Sequence, residues 1–162
     1  MAPVTTDFED LVAAWPAPVQ LRHLEGDLFV TFIQNTNFIE AEWSGHITAD
    51  DVVRAAQVYL ALLQKTPVGG LLNNKAEASG DWVEANDWLE FEWLPKAVRA
   101  GLSCLAHIYS NNMFSMLSAR DLLSRLSPRV RLSTFCEHDE AVSWLNSCLT
   151  AMDGETLPLP QA

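Results

Sequence analysis

The sequence predicts an α/β fold, a single domain on a mostly parallel five-stranded sheet, and three observations carry that reading. Short apolar runs read as strands and longer stretches with apolar residues at helical spacing read as helices. From residue 38 onward the two alternate, so the links are crossovers, which lay parallel strands side by side. The 162 residues, at about 150 per domain, build one core. The predicted order is β-β-α-β-α-β-α-β-α, with the first strand antiparallel in an N-terminal hairpin.

Residues 1–26 contain Pro3, Pro16 and Pro18 and read as an appended arm, with a short amphipathic stretch at 8–15 and an extended piece at 19–24. Patterning begins at Asp27. Residues 28–33 and 38–43 form a hairpin around the turn-forming Gln34-Asn35-Thr36-Asn37. In its second strand Ile39, Ala41 and Trp43 share a buried face, leaving Glu40 and Glu42 on a wet one. Thr48 with Asp51 three residues on resembles a capping box and opens a helix over 49–65. Pro67 and Gly69-Gly70 end it, and Leu71-Leu72 starts a short strand covered on both faces. A loop over 74–80 leads to a helix near 81–100. A strand over 102–109, a helix near 114–126, a strand over 130–135 and a helix near 139–149 follow. Residues 151–162, with Pro158 and Pro160, read as a flexible tail.

Hydrophobic residues make up 49% and charged residues 19%, which excludes a largely disordered or fibrous chain. Ten Lys and Arg against 21 Asp and Glu give a net charge of −11, which repels a phosphate backbone, so no nucleic acid is expected as a partner. No run approaches the ~20 apolar residues of a membrane span, so no transmembrane segment is expected. The acidic N-terminus is unlike a secretory signal. Cys104, Cys136 and Cys148 form no CxxC pair and leave one over, which fits buried thiols in a reducing cytoplasm.

Trp43-Ser44-Gly45 closing the second strand, the tryptophan-bearing helix after the third, and the ending Phe135-Cys136-Glu137-His138-Asp139-Glu140-Ala141-Val142-Ser143-Trp144-Leu145 resemble the SpoIIAA-like branch of the STAS family over residues 27–149. The resemblance implies a non-catalytic regulatory module of a bacterial cytosol that binds a protein partner or a second copy of itself as a homodimer. In STAS antagonists a serine within Asp-Ser-Ser-Gly, at the start of the helix after the third strand, is phosphorylated, where free N–H groups and the helix dipole favour a phosphate. Here the stretch is Glu77-Ala78-Ser79-Gly80-Asp81, so only Ser79 carries over as candidate phosphoacceptor; Ser is also an ordinary N-cap or turn residue. The branch is related in fold to CRAL-TRIO lipid-transfer domains, which implies as an alternative a small apolar or lipid-like ligand in a pocket under the second helix.

In open parallel sheets, ligands sit beyond the carboxyl ends of the strands. That gathers His46, Asn73, Asn74, Ser110, Asn111, Asn112 and His138 on one edge as a candidate ligand site, although such residues also serve as turns and caps. His46, Cys136 and His138 lack zinc-motif spacing, so no metal is expected. His107 reads as a buried core histidine. Gly69-Gly70 precedes its strand, whereas a dinucleotide fingerprint follows one, so no cofactor is expected. Asp81, Glu84, Asp87, Glu90 and Glu92 spread around their helix as a solvated acidic surface, and no enzyme is predicted.

On that helix Trp82, Ala85, Leu89, Trp93 and Ala97 form a stripe toward the sheet. Trp88 and Phe91 fall on the outer face as a candidate interface, unless Phe8, Leu11 or Trp15 of the arm folds over them. In the last helix Ala141, Trp144, Leu145 and Cys148 form the core stripe.

Overall fold

A computed structural model describes residues 6–156. Its centre is one mixed sheet of six strands: β1 (Val19–Arg22), β2 (Leu28–Gln34), β3 (Phe38–His46), β4 (Gly70–Ser79), β5 (Cys104–Ile108) and β6 (Arg131–Phe135), arranged side by side in chain order. β1, β2 and β3 pair antiparallel, and β3 through β6 pair parallel. The sixth strand is the extended piece of the arm. Val19 and Leu21 alternate with Gln20 and Arg22, bury their side chains and pair with β2, so the period-2 pattern joins this segment to the sheet.

Helices cover the two faces unequally. α1 (Thr6–Ala13), α2 (Ala49–Lys65), a helical run from Val83 to Ala100, and α5 (Met113–Leu126) lie on one face, with a core that includes Phe32, Trp43, Tyr59, Leu62, Trp82 and Leu105. α6 (His138–Thr156) lies on the other, over Phe38, Leu72, Ala106 and Ile108. Because the strands run in chain order without reversal, successive crossover helices stack on one side and no crevice opens between diverging crossovers at the strand ends.

Local chemistry accounts for the main boundaries. The Asp51 N–H donates to Thr48 Oγ1 (3.3 Å) and the Thr48 N–H to Asp51 Oδ2 (2.9 Å), the capping box expected at the start of α2. The run from Val83 is not one regular helix. A 3₁₀ turn (Val83–Ala85) leads into α3 (Asn86–Trp88), a π turn (Leu89–Trp93) and α4 (Leu94–Ala100). Pro95 supplies no N–H to the preceding turn, and the widened turn just before it accommodates that loss. The predicted stripe still faces inward, with Trp82, Ala85, Leu89, Trp93 and Ala97 all buried.

Four expectations are corrected. Of the loop expected over 74–80, residues 74–79 are the second half of β4, a ten-residue strand rather than a short one. The face of β3 expected to be wet is covered in part: Glu40 is buried beneath the first turn of α6, whereas Glu42 is exposed as expected. The thiols are not three buried singles, since Cys104 and Cys148 are joined as a disulfide between β5 and α6 and Cys136 is free and exposed; the cysteines therefore give no argument for a reducing compartment. Trp144 is half-buried against Phe135 at a ring separation of 5.8 Å, while Ala141, Leu145 and Cys148 are buried.

The arm is built into the fold. Trp15 lies in the core, and the Lys65 ammonium at the end of α2 donates to the Val12 carbonyl at 2.7 Å. α6 continues past 149 to Thr156, and the remainder of the expected tail, 157–162, lies outside the described residues. No helix among the described residues is long and apolar enough to cross a membrane.

Candidate functional site

The residues expected on the loop edge divide among three places. Asn73 and Asn74 are neighbours in β4 and so point to opposite faces. On the α6 side, Asn74 Nδ2 donates to Glu40 Oε2 (3.3 Å), and His138 Nε2 lies 3.1 Å from both Glu40 oxygens. At the strand ends, Ser110 Oγ donates to the Ala78 carbonyl and accepts from the Asn112 N–H (2.9 Å). Asn112 caps α5: its Oδ1 accepts from the N–H groups of Ser115 (3.0 Å) and Gly80 (3.2 Å). Asn111 is exposed, and His46 ends β3, also exposed. These are capping and bracing roles.

Ser79 is the last residue of β4 and half-buried, and its carbonyl accepts from the Ile47 N–H at 2.8 Å. It does not stand at a helix start; the next helical turn begins at Val83, and the intervening Gly80 N–H is already held by Asn112. Gly80 itself has φ +109, and an added Cβ would strike the Ile47 carbonyl, so this corner fits glycine alone. Phe91 is 65% exposed, as the helical wheel predicts, whereas Trp88 is half-buried and lines a groove with Gln57, Leu60 and Gln64 of α2. The described part of the arm does not cover Phe91; the Phe8 side chain lies outside what the structure describes.

Asn73, on the other face, leads to a site the sequence reading does not contain. Trp43 Nε1 donates to Asn73 Oδ1 (2.7 Å), and Asn73 Nδ2 donates to His107 Nδ1 (3.2 Å). This chain runs across β3, β4 and β5 and places the proton of the neutral His107 ring on Nε2, a buried atom with no partner. Two residues along β4 is Lys75, 1% exposed. The pairing of β4 with β3 slips at this point: Glu42 faces Asn74 but Ser44 faces Glu77, so β4 carries one extra residue. Such a bulge re-aims a side chain.

The Lys75 Nζ lies between two indole rings, 3.7 Å from the centroid of Trp82 and 4.1 Å from that of Trp43. Both rings are fixed. Trp43 is tethered by Asn73, while the Trp82 ring N–H donates to Ser115 Oγ (3.3 Å) and its backbone N–H to Ser118 Oγ (3.1 Å). The ring faces favour a cation by cation–π attraction. Among the described residues no carboxylate faces this ammonium. Removed from water without a counter-charge, its pKa falls to about 7.

Lys75 lines a cavity of about 60 Å³ between the sheet and the helices of the main face. Its wall is mainly apolar, with Ala55 from α2, Leu89 from the π turn, Leu105 from β5 and Leu122 from α5. The polar exceptions besides Lys75 are Asn73, the two bonded indole N–H groups of Trp43 and Trp93, and Tyr59. Tyr59 is buried on α2, and its hydroxyl has no hydrogen-bond partner. Burial pushes that hydroxyl's pKa up, so it is a neutral donor at physiological pH. Burial, and then the Lys75 charge, lower His107 to about 3, so the imidazole is neutral as well. The cavity is therefore an apolar bowl with two donors, the Lys75 ammonium, which rests on two indole faces, and the Tyr59 hydroxyl, which has no partner.

The signal for Lys75 in the sequence is parity: Leu71, Asn73 and Lys75 alternate onto one face once β4 extends beyond Leu72. Among the described residues no three His, Cys, Asp or Glu side chains are grouped to hold a metal ion. No protein-family model matches the chain, and no curated protein is similar to it.

Proposed function

We propose that the protein is a non-catalytic, STAS-like binding module whose ligand is a small molecule held in the cavity beneath α2. The carrying observation is that Lys75, whose ammonium meets two indole faces and no carboxylate, and Tyr59, whose buried hydroxyl has no hydrogen-bond partner, line one apolar cavity. Buried polar groups are nearly always satisfied, and each exception costs about 1–3 kcal/mol, more when charged, unless something completes it. A cavity of about 60 Å³, at roughly 10–15 Å³ per water, has room for a few heavy atoms and none for the long acyl chain of a lipid. The alternative of a small apolar ligand therefore narrows from a lipid to a short molecule with a polar head. The family resemblance supports a binding rather than a catalytic role.

Filling the cavity tests the reading. Small molecules of up to about six heavy atoms should raise the melting temperature of the wild type by mass action and leave Ala55→Met unmoved, since the added side chain occupies the bowl. Equal responses from the two proteins, or none from the wild type, would reject it.

A second reading is contact with a protein partner or a second copy, supported by large apolar side chains on the outside. Met113, Phe114 and Leu117 project from the first turns of α5, between 50% and 63% exposed, and Phe91 stands free on the neighbouring run. Trp88 joins such a contact only through its exposed edge. If this reading holds, a Phe91→Ala, Phe114→Asp, Leu117→Asp variant is monomeric by light scattering where the wild type is dimeric; unchanged masses oppose it.

A further inference from the structure

The cavity's polar groups specify more than size. The lining comes from Phe32 of β2, Trp43 of β3, Tyr59 of α2, Asn73 and Lys75 of β4, and Leu105 of β5. The helical run adds Leu89 and Trp93, and α5 adds Leu122 and Leu126. His107 stands behind Asn73 and is neutral. No acidic residue faces Lys75 from any of these elements. Asn73 is occupied on both its oxygen and its nitrogen, so it holds Trp43 and His107 in place and leaves the ligand to Lys75 and Tyr59.

Resting on the reading of the cavity as a ligand site, we propose that it accepts a short-chain monocarboxylate, whose carboxylate takes hydrogen bonds from the Lys75 ammonium and the Tyr59 hydroxyl while its alkyl part lies against Ala55, Leu89, Leu105 and Leu122. One carboxylate has two oxygens and enough lone pairs to complete both donors. A neutral amide brings no charge to meet the ammonium, and its N–H₂ finds no acceptor here. An amine repeats the charge of Lys75. An ammonium–carboxylate pair out of water is strong only when each charge meets its partner at close range, and the two indoles restrict the ammonium to the remaining open direction. The space for about four to six heavy atoms matches acetate through butanoate. Binding is coupled to a proton: the carboxylate selects the protonated amine, so the complex takes up protons where free Lys75 is partly neutral.

The test is calorimetric titration of the full chain with butanoate and, separately, with butanamide, in wild type, Lys75→Met and Tyr59→Phe. Butanoate should bind the wild type at least about tenfold more tightly than butanamide, Lys75→Met should lose that preference, and Tyr59→Phe should weaken butanoate roughly fivefold. Because Tyr59→Phe deletes one oxygen from a group with no partner, it stays folded and keeps the test decisive if Lys75→Met does not. Affinity for butanoate should also fall as pH rises from about 7 to 9, with proton uptake visible between buffers of different ionisation enthalpy. If butanamide binds as well as butanoate, or Tyr59→Phe binds butanoate unchanged, the carboxylate inference fails while the cavity remains a ligand site. If neither compound binds at about 10 mM, the cavity reading fails with it.

Discussion

Lys75 is an ordinary strong base in water and a weak one here, and the difference is a stability term with a definite sign. Its folded pKa, about 7, lies below the unfolded value of 10.5. The unfolded chain therefore binds the extra proton between those values, and stability rises with pH across that window. Below pH 7 the penalty is fully present. Lys75→Met keeps the length of the side chain and its contact with two indole rings but removes the charge. The variant should gain about 3 to 5 kcal/mol over wild type at pH 6 in urea melts, with the gain shrinking toward pH 10. A variant less stable than wild type by the same amount at both pH values would show that Lys75 is not desolvated as described. A position that grows more stable when altered, and loses binding, has the character of a functional site rather than of a core contact.

At the scale of elements, the site depends on where β4 stops and how the next helix is braced. Asn112 joins these: one side-chain oxygen caps α5 and holds the Gly80 N–H at the end of β4. Asn112→Ala breaks both bonds and should cost about 2 kcal/mol, at the upper end for a cap; a loss under about 0.5 kcal/mol would mean water replaces both. Much of this level was legible. The capping box at Thr48, the buried stripe from Trp82 to Ala97 and the alternation of strands with helices each follow from residue spacing, and each stands in the structure. From sequence β4 reads short, because Asn73, Asn74, Lys75 and Glu77 look like a loop. They are a strand because Asn73 and Lys75 face the cavity in the core, and Asn74 reaches the buried Glu40. Burying polar groups at a site erases the apolar alternation by which strands are recognised. The candidate loop edge failed for a related reason: position at a strand end gathers residues, but parity separates Asn73 from Asn74.

For the whole molecule, two long-range ties set what the domain contains. β1 and Trp15 bring the arm into the sheet and core, so the folded unit starts before Asp27. Proline content had marked that segment as an appendage, whereas burial of Trp15, Val19 and Leu21 outweighs it. The second tie, Cys104–Cys148, closes a loop with a sequence separation of 44. Chain-entropy arguments give such a cross-link about 4 kcal/mol through the unfolded state. Urea melts with and without a reductant should differ by about 2 to 4 kcal/mol, and coincident curves would mean the two sulfurs are not bonded. Spacing could not reveal this pair, since the sequence says nothing of how α6 lies across β5.

The central claim, that the core holds an uncompensated lysine awaiting an acidic ligand, is read most directly at Lys75 itself. Titrating its ¹³Cε resonance by NMR, with Lys75→Met for assignment, gives its pKa in the free protein and in saturating butanoate. The expected result is a value of about 7 in the free protein, moving up by at least about one unit when the carboxylate is bound. A lysine that titrates near 10.5 in the free protein, or that keeps the same pKa with and without butanoate, would contradict it.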